Sequence, residues 1–238
     1  MTTHENFPGD SALADDPRTD PVTSGERWPR VYVVRHGGTL WSAAGLHMSR
    51  TDLPLTAQGE CSARALHAPL SRIQSPTVLT SPQRRARQTC QFAGWDQPAA
   101  ILPELAEWDY GDYEGRTAAD IWRERAGWNL FFDGCPGGES PLQVCARADA
   151  LVDRLRLMQS NVILFSHGQF LRVLAARWVG LPVSAAQHLV LATAALGILD
   201  YEHQRAANPV IALWNLPWAA MADRQPDNKP SCVERIAG

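Results

Sequence analysis

The sequence predicts an α/β fold: a three-layer α/β/α sandwich around a largely parallel sheet of about six strands. Two observations carry this. Short apolar runs alternate along the chain with stretches of helical period, and the boundaries between them are marked by capping residues, glycine and proline. Strands that alternate with helices form a parallel sheet covered on both faces.

In chain order, VYVV (Val31–Val34) reads as a buried strand, with Pro29 before it and Gly37-Gly38 after. Thr56 is a good N-cap, and the helix after it presents Cys61, Ala65 and Leu66 on one face. TVLT (Thr77–Thr80) is a second strand. Ser81-Pro82 is expected to open a helix as N-cap and first-turn proline, and Gly94 to end it. AAIL (Ala99–Leu102) is a weaker third strand. Ser140, Pro141 and Gln143 form a capping box, and behind them Leu142, Cys145, Ala148, Leu151, Leu155 and Met158 recur at helical spacing. NVILFS (Asn161–Ser166) is a fourth strand, followed by a helix that Gly180 stops and Pro182 cannot continue. Strands near Ala195–Tyr201 and Pro209–Trp214 complete the sheet.

Composition bounds the class. The chain has 238 residues, long for an average domain but ordinary for one α/β domain, and its 45% hydrophobic residues supply a sizeable core. Residues 1–28 carry six acids against Arg18 and Arg27, and they are rich in Pro, Asp, Thr, Ser and Gly without hydrophobic period. They read as a disordered acidic leader, residues 29–222 as one domain, and residues 223–238 as a flexible tail. The leader holds a net −4 of the total −3, so the rest is near +1, with no basic face for nucleic acid. No apolar run approaches the ~20 residues that span a bilayer, and no secretory signal is visible. The five scattered cysteines fit reduced thiols better than a disulfide frame or a zinc site. A cytoplasmic, unanchored protein is expected, either monomer or homodimer.

The reactive side chains fall at one edge of this scaffold. Arg35 and His36 follow the first strand, Arg85 lies in the first turn after the second, Glu107 follows the third, and His167 follows the fourth. In open α/β sheets the ligand crevice lies outside the carboxyl ends of the strands. Two guanidiniums grip phosphoryl oxygens bidentately, a neutral imidazole can attack phosphorus, and a second imidazole can donate to the oxygens. Helix N-termini near Leu40 and at Gly168-Gln169 would add backbone donors for an anion. A carboxyl group can protonate the departing alkoxide and then take a proton from the hydrolytic water. The arginines already neutralise the charge, so neither metal nor cofactor is required. A phosphate ester would be the substrate and inorganic phosphate the product.

These residues resemble the histidine phosphatase superfamily, also called phosphoglycerate mutase-like. RHGGTLW (Arg35–Trp41), TDLPLTAQGE (Thr51–Glu60), SPQRRARQT (Ser81–Thr89), LAEWDYGDYEG (Leu105–Gly115) and FSHGQFLR (Phe165–Arg172) are similar, in order, to its blocks. The resemblance implies His36 as the nucleophile that becomes phosphorylated, Arg35, Arg85 and His167 as phosphate ligands, and Glu107 as acid/base. EWDYGDYEG, GWN and DGCPGGES are similar to the acid phosphatases and sedoheptulose-bisphosphatase-like sugar phosphatases of that family. A metal-independent phosphomonoesterase acting on a small sugar phosphate or related metabolite is therefore expected. The alternatives are a phosphoglycerate-type mutase, or a catalytically weak module that binds phospho-ligands. Two positions depart from the family pattern. Gly38 stands where Glu or Gln is usual, and Ser42 stands where Asn is often found, a serine hydroxyl having a shorter reach to phosphate. His47 is read either as a substrate contact beyond the phosphate or as a loop histidine bonded to backbone. Of the aromatic cluster Trp108, Tyr110 and Tyr113, Tyr110 is the one expected at the site.

Overall fold

The computed structural model describes residues 28–95, 99–205 and 208–217. The expected leader up to residue 27 and the expected tail from 223 lie outside the described residues. Trp28 packs its ring on Tyr201, with centroids 5.6 Å apart.

Six strands form one sheet: β1 (Val31–Arg35), β2 (Thr77–Thr80), β3 (Ala100–Ile101), β4 (Val162–Ser166), β5 (Leu196–Tyr201) and β6 (Pro209–Leu216). Their order is β3-β2-β4-β1-β5-β6. The pairs β3/β2, β2/β4 and β4/β1 are parallel, so the sheet is mostly parallel as the sequence predicts. The last two strands are antiparallel, β5 against β1 and β6 against β5. The stretch after the helix that follows β4 runs back to the carboxyl edge, where Ala194 N–H meets the carbonyls of Arg35 and His36. The chain therefore enters β5 beside the end of β1 and has to run the other way.

The central strand β4 shows why there are three layers. All five of its residues are buried. Because side chains alternate across a strand, Val162 and Leu164 enter one apolar cluster while Ile163 and Phe165 enter the other. Short helices α1 (Leu40–Ala43), α5 (Ala118–Glu124) and α6 (Leu130–Asp133) lie in the connections. The first cluster is closed by α7 (Pro141–Arg156) and α8 (Gly168–Trp178), through residues such as Val144, Leu151, Phe170 and Leu174. The second is closed from the other face by Leu66 and Leu70, around α2 (Ala57–Ala65) and α3 (His67–Leu70), and by Cys90 of α4 (Arg84–Phe92).

Helix starts follow the expected caps with one exception. The hydroxyls of Thr56 and Ser140 accept from the backbone N–H groups of Gly59 and Gln143, and the Gln143 side chain returns to Ser140 N–H. Ser81-Pro82 does not open α4, which begins at Arg84 with Gln83 as an unsatisfied cap. The Ser81 hydroxyl is taken by His167 and Gln83, and the orphan N–H of Arg84 finds the carboxylate of Asp52 at 2.6 Å instead.

The buried face of α7 also differs from the expected one. It consists of Val144, Ala148, Leu151, Val152 and Leu155, while Leu142 is 82% exposed and Cys145 half-buried. The expected and observed rows share Ala148, Leu151 and Leu155. At about 100° per residue, Leu142 lies roughly 135° from the centre of the observed face.

Candidate active site

Strand register builds the site. Arg35 of β1 is paired with Ser166 of β4, so the next residues, His36 and His167, leave the sheet side by side. His36 N–H donates to the Ser166 carbonyl at 2.9 Å, and the two imidazole centroids are 5.2 Å apart, close to one strand spacing. This is also where the sheet changes hands. From β1 the chain passes over the α2/α4 face toward β2, and from β4 it passes over the opposite face, so a crevice opens between them. A cavity of about 170 Å³ occupies it.

His36 lines that cavity and is almost wholly buried. Its Nδ1 lies 2.7 Å from the Gly37 carbonyl, which can only accept, so Nδ1 carries the hydrogen and Nε2 keeps its lone pair. Burial, and then the charges of Arg35 and Arg85, hold the ring well below the usual histidine pKa. It is therefore a neutral imidazole at neutral pH. The turn beneath it needs glycine at position 37, where a Cβ would lie 2.5 Å from the Gly59 carbonyl oxygen. Gly38 is different: a Cβ there meets only ordinary contacts, the nearest at 3.7 Å, so space does not dictate this departure from the family pattern.

Arg85 and His167 lie against His36 but do not line the cavity. Both are fully buried. The Arg85 fork is held by the carbonyls of Thr51 and Met48, each at 3.1 Å, and of Ser49 at 3.4 Å. Its Nε–H donates to His167 Nδ1 at 3.1 Å, which makes Nδ1 the acceptor and puts the ring hydrogen on Nε2, toward Ser81 and Gln83. Burial and the Arg85 charge keep His167 neutral as well. Arg84 and Arg87, on either side, are exposed.

Arg35 does line the cavity, with one guanidinium nitrogen donating to the Leu191 carbonyl at 2.6 Å. Its Nε is buried without a partner. Glu107 faces the same space, and its carboxylate accepts from Trp108 and Phe170 N–H, each at 2.9 Å, and from Gln169 N–H at 3.2 Å. The N-terminus of α8, expected to offer its donors to an anion, thus gives two of them to Glu107. Gly168 also lines the cavity, as do Ser42, His47 and Tyr110. The Ser42 hydroxyl is engaged with its own cap, accepting from Thr39 N–H and donating to the Thr39 carbonyl. His47 has the backbone bond of its second reading, Nδ1–H to the Arg116 carbonyl at 2.6 Å; it also lines the cavity, its ring edge-on to Tyr110. Trp108 and Tyr113 belong to the core.

Several residues at or behind the site have side chains to which the sequence assigned no role. Gly45, Leu46 and Met48 complete the lining, with Gln169 at the start of α8. Glu114 accepts from the N–H groups of Ser49 and Thr51 and from the Ser49 hydroxyl, which turns that loop's carbonyls onto Arg85. Thr89 accepts from Gly37 N–H at 2.9 Å and donates to the Arg85 carbonyl. Apart from the Thr89–Arg85 bond within α4, these links run between segments more than 50 residues apart, beyond the reach of local pattern. The cysteines need a correction: Cys61 is disulfide-bonded, against the expectation of five reduced thiols. Buried Cys135 has its thiol pushed up to about 12 by desolvation, so it is no nucleophile. Among the described residues, no helix is long and apolar enough to cross a membrane, and no three His, Cys, Asp or Glu side chains form a metal-holding group.

A neutral imidazole with a free lone pair, a guanidinium and a carboxylate around one cavity at a sheet switch point define a phosphoryl-transfer site. The comparisons agree. The model of the histidine phosphatase superfamily (branch 1) matches residues 31–217, and the chain belongs to that family. It is 38% identical over 197 residues to an acid phosphatase of Mycobacterium tuberculosis, covering 81% of this chain and 97% of that protein. It is 34% identical over 187 residues to the sedoheptulose 1,7-bisphosphatase of Saccharomyces cerevisiae, covering 65% and 69%. A solved structure of a Mycobacterium tuberculosis open reading frame product superposes with a TM-score of 0.76 at 36% identity, over 80% of this chain and 98% of that one. The enzyme is a phosphoric monoester hydrolase of the phosphohistidine type.

Proposed function

We propose that the chain hydrolyses the monoester of a small phosphorylated metabolite, such as a sugar phosphate, with His36 Nε2 as the nucleophile. The observation that carries this reading is the His36 ring. Its Nδ1–H is given to the Gly37 carbonyl, which leaves an unprotonated nitrogen in the wall of a cavity shared with Arg35 and Glu107. Arg35 grips the phosphoryl oxygens. Nε2 attacks phosphorus, the ester P–O bond breaks, and Glu107 in its acid form gives the departing alkoxide a proton. Water then attacks the phosphohistidine while Glu107 takes a proton from it, and inorganic phosphate leaves.

Arg85 and His167 act from behind. Arg85 supplies fixed positive charge, and the His167 Nε2–H, now directed at Ser81 and Gln83, turns to the phosphoryl oxygens as negative charge builds on them. Ser42 and the Gly168 backbone contact the phosphoryl end, and His47 and Tyr110 contact the organic part. The relatives named as an acid phosphatase and a sugar bisphosphatase support a small phosphorylated metabolite as substrate. Release of inorganic phosphate from p-nitrophenyl phosphate in excess chelator tests the reading. The wild type is expected to turn over and His36→Ala to lose the activity; full activity in the variant would sink it.

A further inference from the structure

Resting on that reading, we infer that the substrate carries a single phosphoryl group on a neutral, hydroxyl-bearing body: a polyol monophosphate without a second phosphate or a carboxylate. Beyond the phosphoryl end, the cavity is lined by His47, Tyr110 and Gln169, together with apolar Leu46 and Met48. Their hydrogen-bonding roles are already set. His47 gives its Nδ1–H to the Arg116 carbonyl, so Nε2 is left as an acceptor. The Gln169 amide oxygen accepts from Arg172 at 2.7 Å, so what remains is the NH2, a donor. Burial keeps the Tyr110 phenol protonated and His47 uncharged. A neutral acceptor, a neutral donor and a phenol that can do either suit hydroxyl groups.

The cavity offers nothing for a second anion. Among the described residues, Arg35 is the one cation in its lining, and the phosphoryl group takes it. The neighbouring arginines are committed elsewhere. Arg50 is paired with Asp109, and Arg116 with Glu124. Arg172 is held by Gln169 and by the carbonyls of Ala186 and Gln187. A second phosphate or a carboxylate would lose its hydration here without gaining a charged partner.

The test compares kcat/KM for p-nitrophenyl phosphate, glucose 6-phosphate, ribose 5-phosphate, fructose 1,6-bisphosphate and 3-phosphoglycerate. The two polyol monophosphates should exceed the last two by at least about tenfold. Leu46 is half-buried, and Leu46→Arg should raise the ratio of 3-phosphoglycerate to glucose 6-phosphate by a similar factor. Gln169→Leu should lower the ratio of glucose 6-phosphate to p-nitrophenyl phosphate. Turnover of p-nitrophenyl phosphate with the bisphosphate or the acid equal or preferred would overturn this inference alone. Absence of turnover on every ester would overturn the phosphatase reading and this inference with it. If Leu46→Arg does not fold, the wild-type panel and Gln169→Leu decide.

Discussion

The two central histidines are unprotonated for the same physical reason, and that reason has a consequence for stability. Burial, followed by neighbouring guanidinium charge, disfavours the imidazolium of His36 and of His167. Each therefore binds fewer protons in the folded chain than in the unfolded one, where the value is about 6.5. Their contribution to stability is complete above that pH and is lost as pH falls below it toward the folded values. The melting temperature should decline below about pH 6.5, and His36→Gln should make that decline shallower; equal slopes would show that the ring is not neutral by burial. Much of the placement at this scale was legible, since Arg35, His36, His167 and Gly168 fall at strand ends, while Glu107 follows β3 by six residues across a short 3-10 turn. The tautomers were not. They depend on a bond to a carbonyl one residue away in His36 and on an arginine 82 residues away in His167.

Between elements, the site depends on a few bridging side chains. Thr89 on α4 joins the turn after β1 to the helix that carries Arg85. Thr89→Val keeps the volume but leaves the buried Gly37 N–H without an acceptor, which costs about 1–3 kcal/mol. Urea denaturation should show that loss, with a fall in kcat larger than any rise in KM because the nucleophile's turn is what loosens. Glu114 has the corresponding role for the loop that holds Arg85. Glu114→Ala should lower kcat/KM, and Glu114→Gln, which still accepts, should recover part of it; equal loss in both would argue against the clamp. Helix existence was readable from Ser140 and Gly180, whereas helix rotation was not. The α7 pattern admits two faces that share Ala148, Leu151 and Leu155, and only packing against α8 chooses Val144 and Val152. The start of α4 was misread because the Ser81 hydroxyl serves His167 rather than a helix end.

For the whole molecule, strand order matters more than strand content. Apolar runs announced six strands but carry no direction, so the reversal of β5 and β6 could not be read from them. The switch between β1 and β4 places charged and reactive groups in one crevice, and a ligand that binds only the folded chain stabilises it by mass action. Inorganic phosphate or vanadate should raise the melting temperature of the wild type in a concentration-dependent way. The rise should be smaller in Arg35→Ala, and an equal rise in both proteins would place the anion elsewhere.

The most direct measurement is to quench the enzyme in alkali during turnover of a phosphate monoester and to map the phosphorylated peptide by mass spectrometry. A phosphoryl group on His36, stable in alkali and released in acid, is the expected result. Turnover with no adduct at His36, or with the label on another side chain, would contradict it.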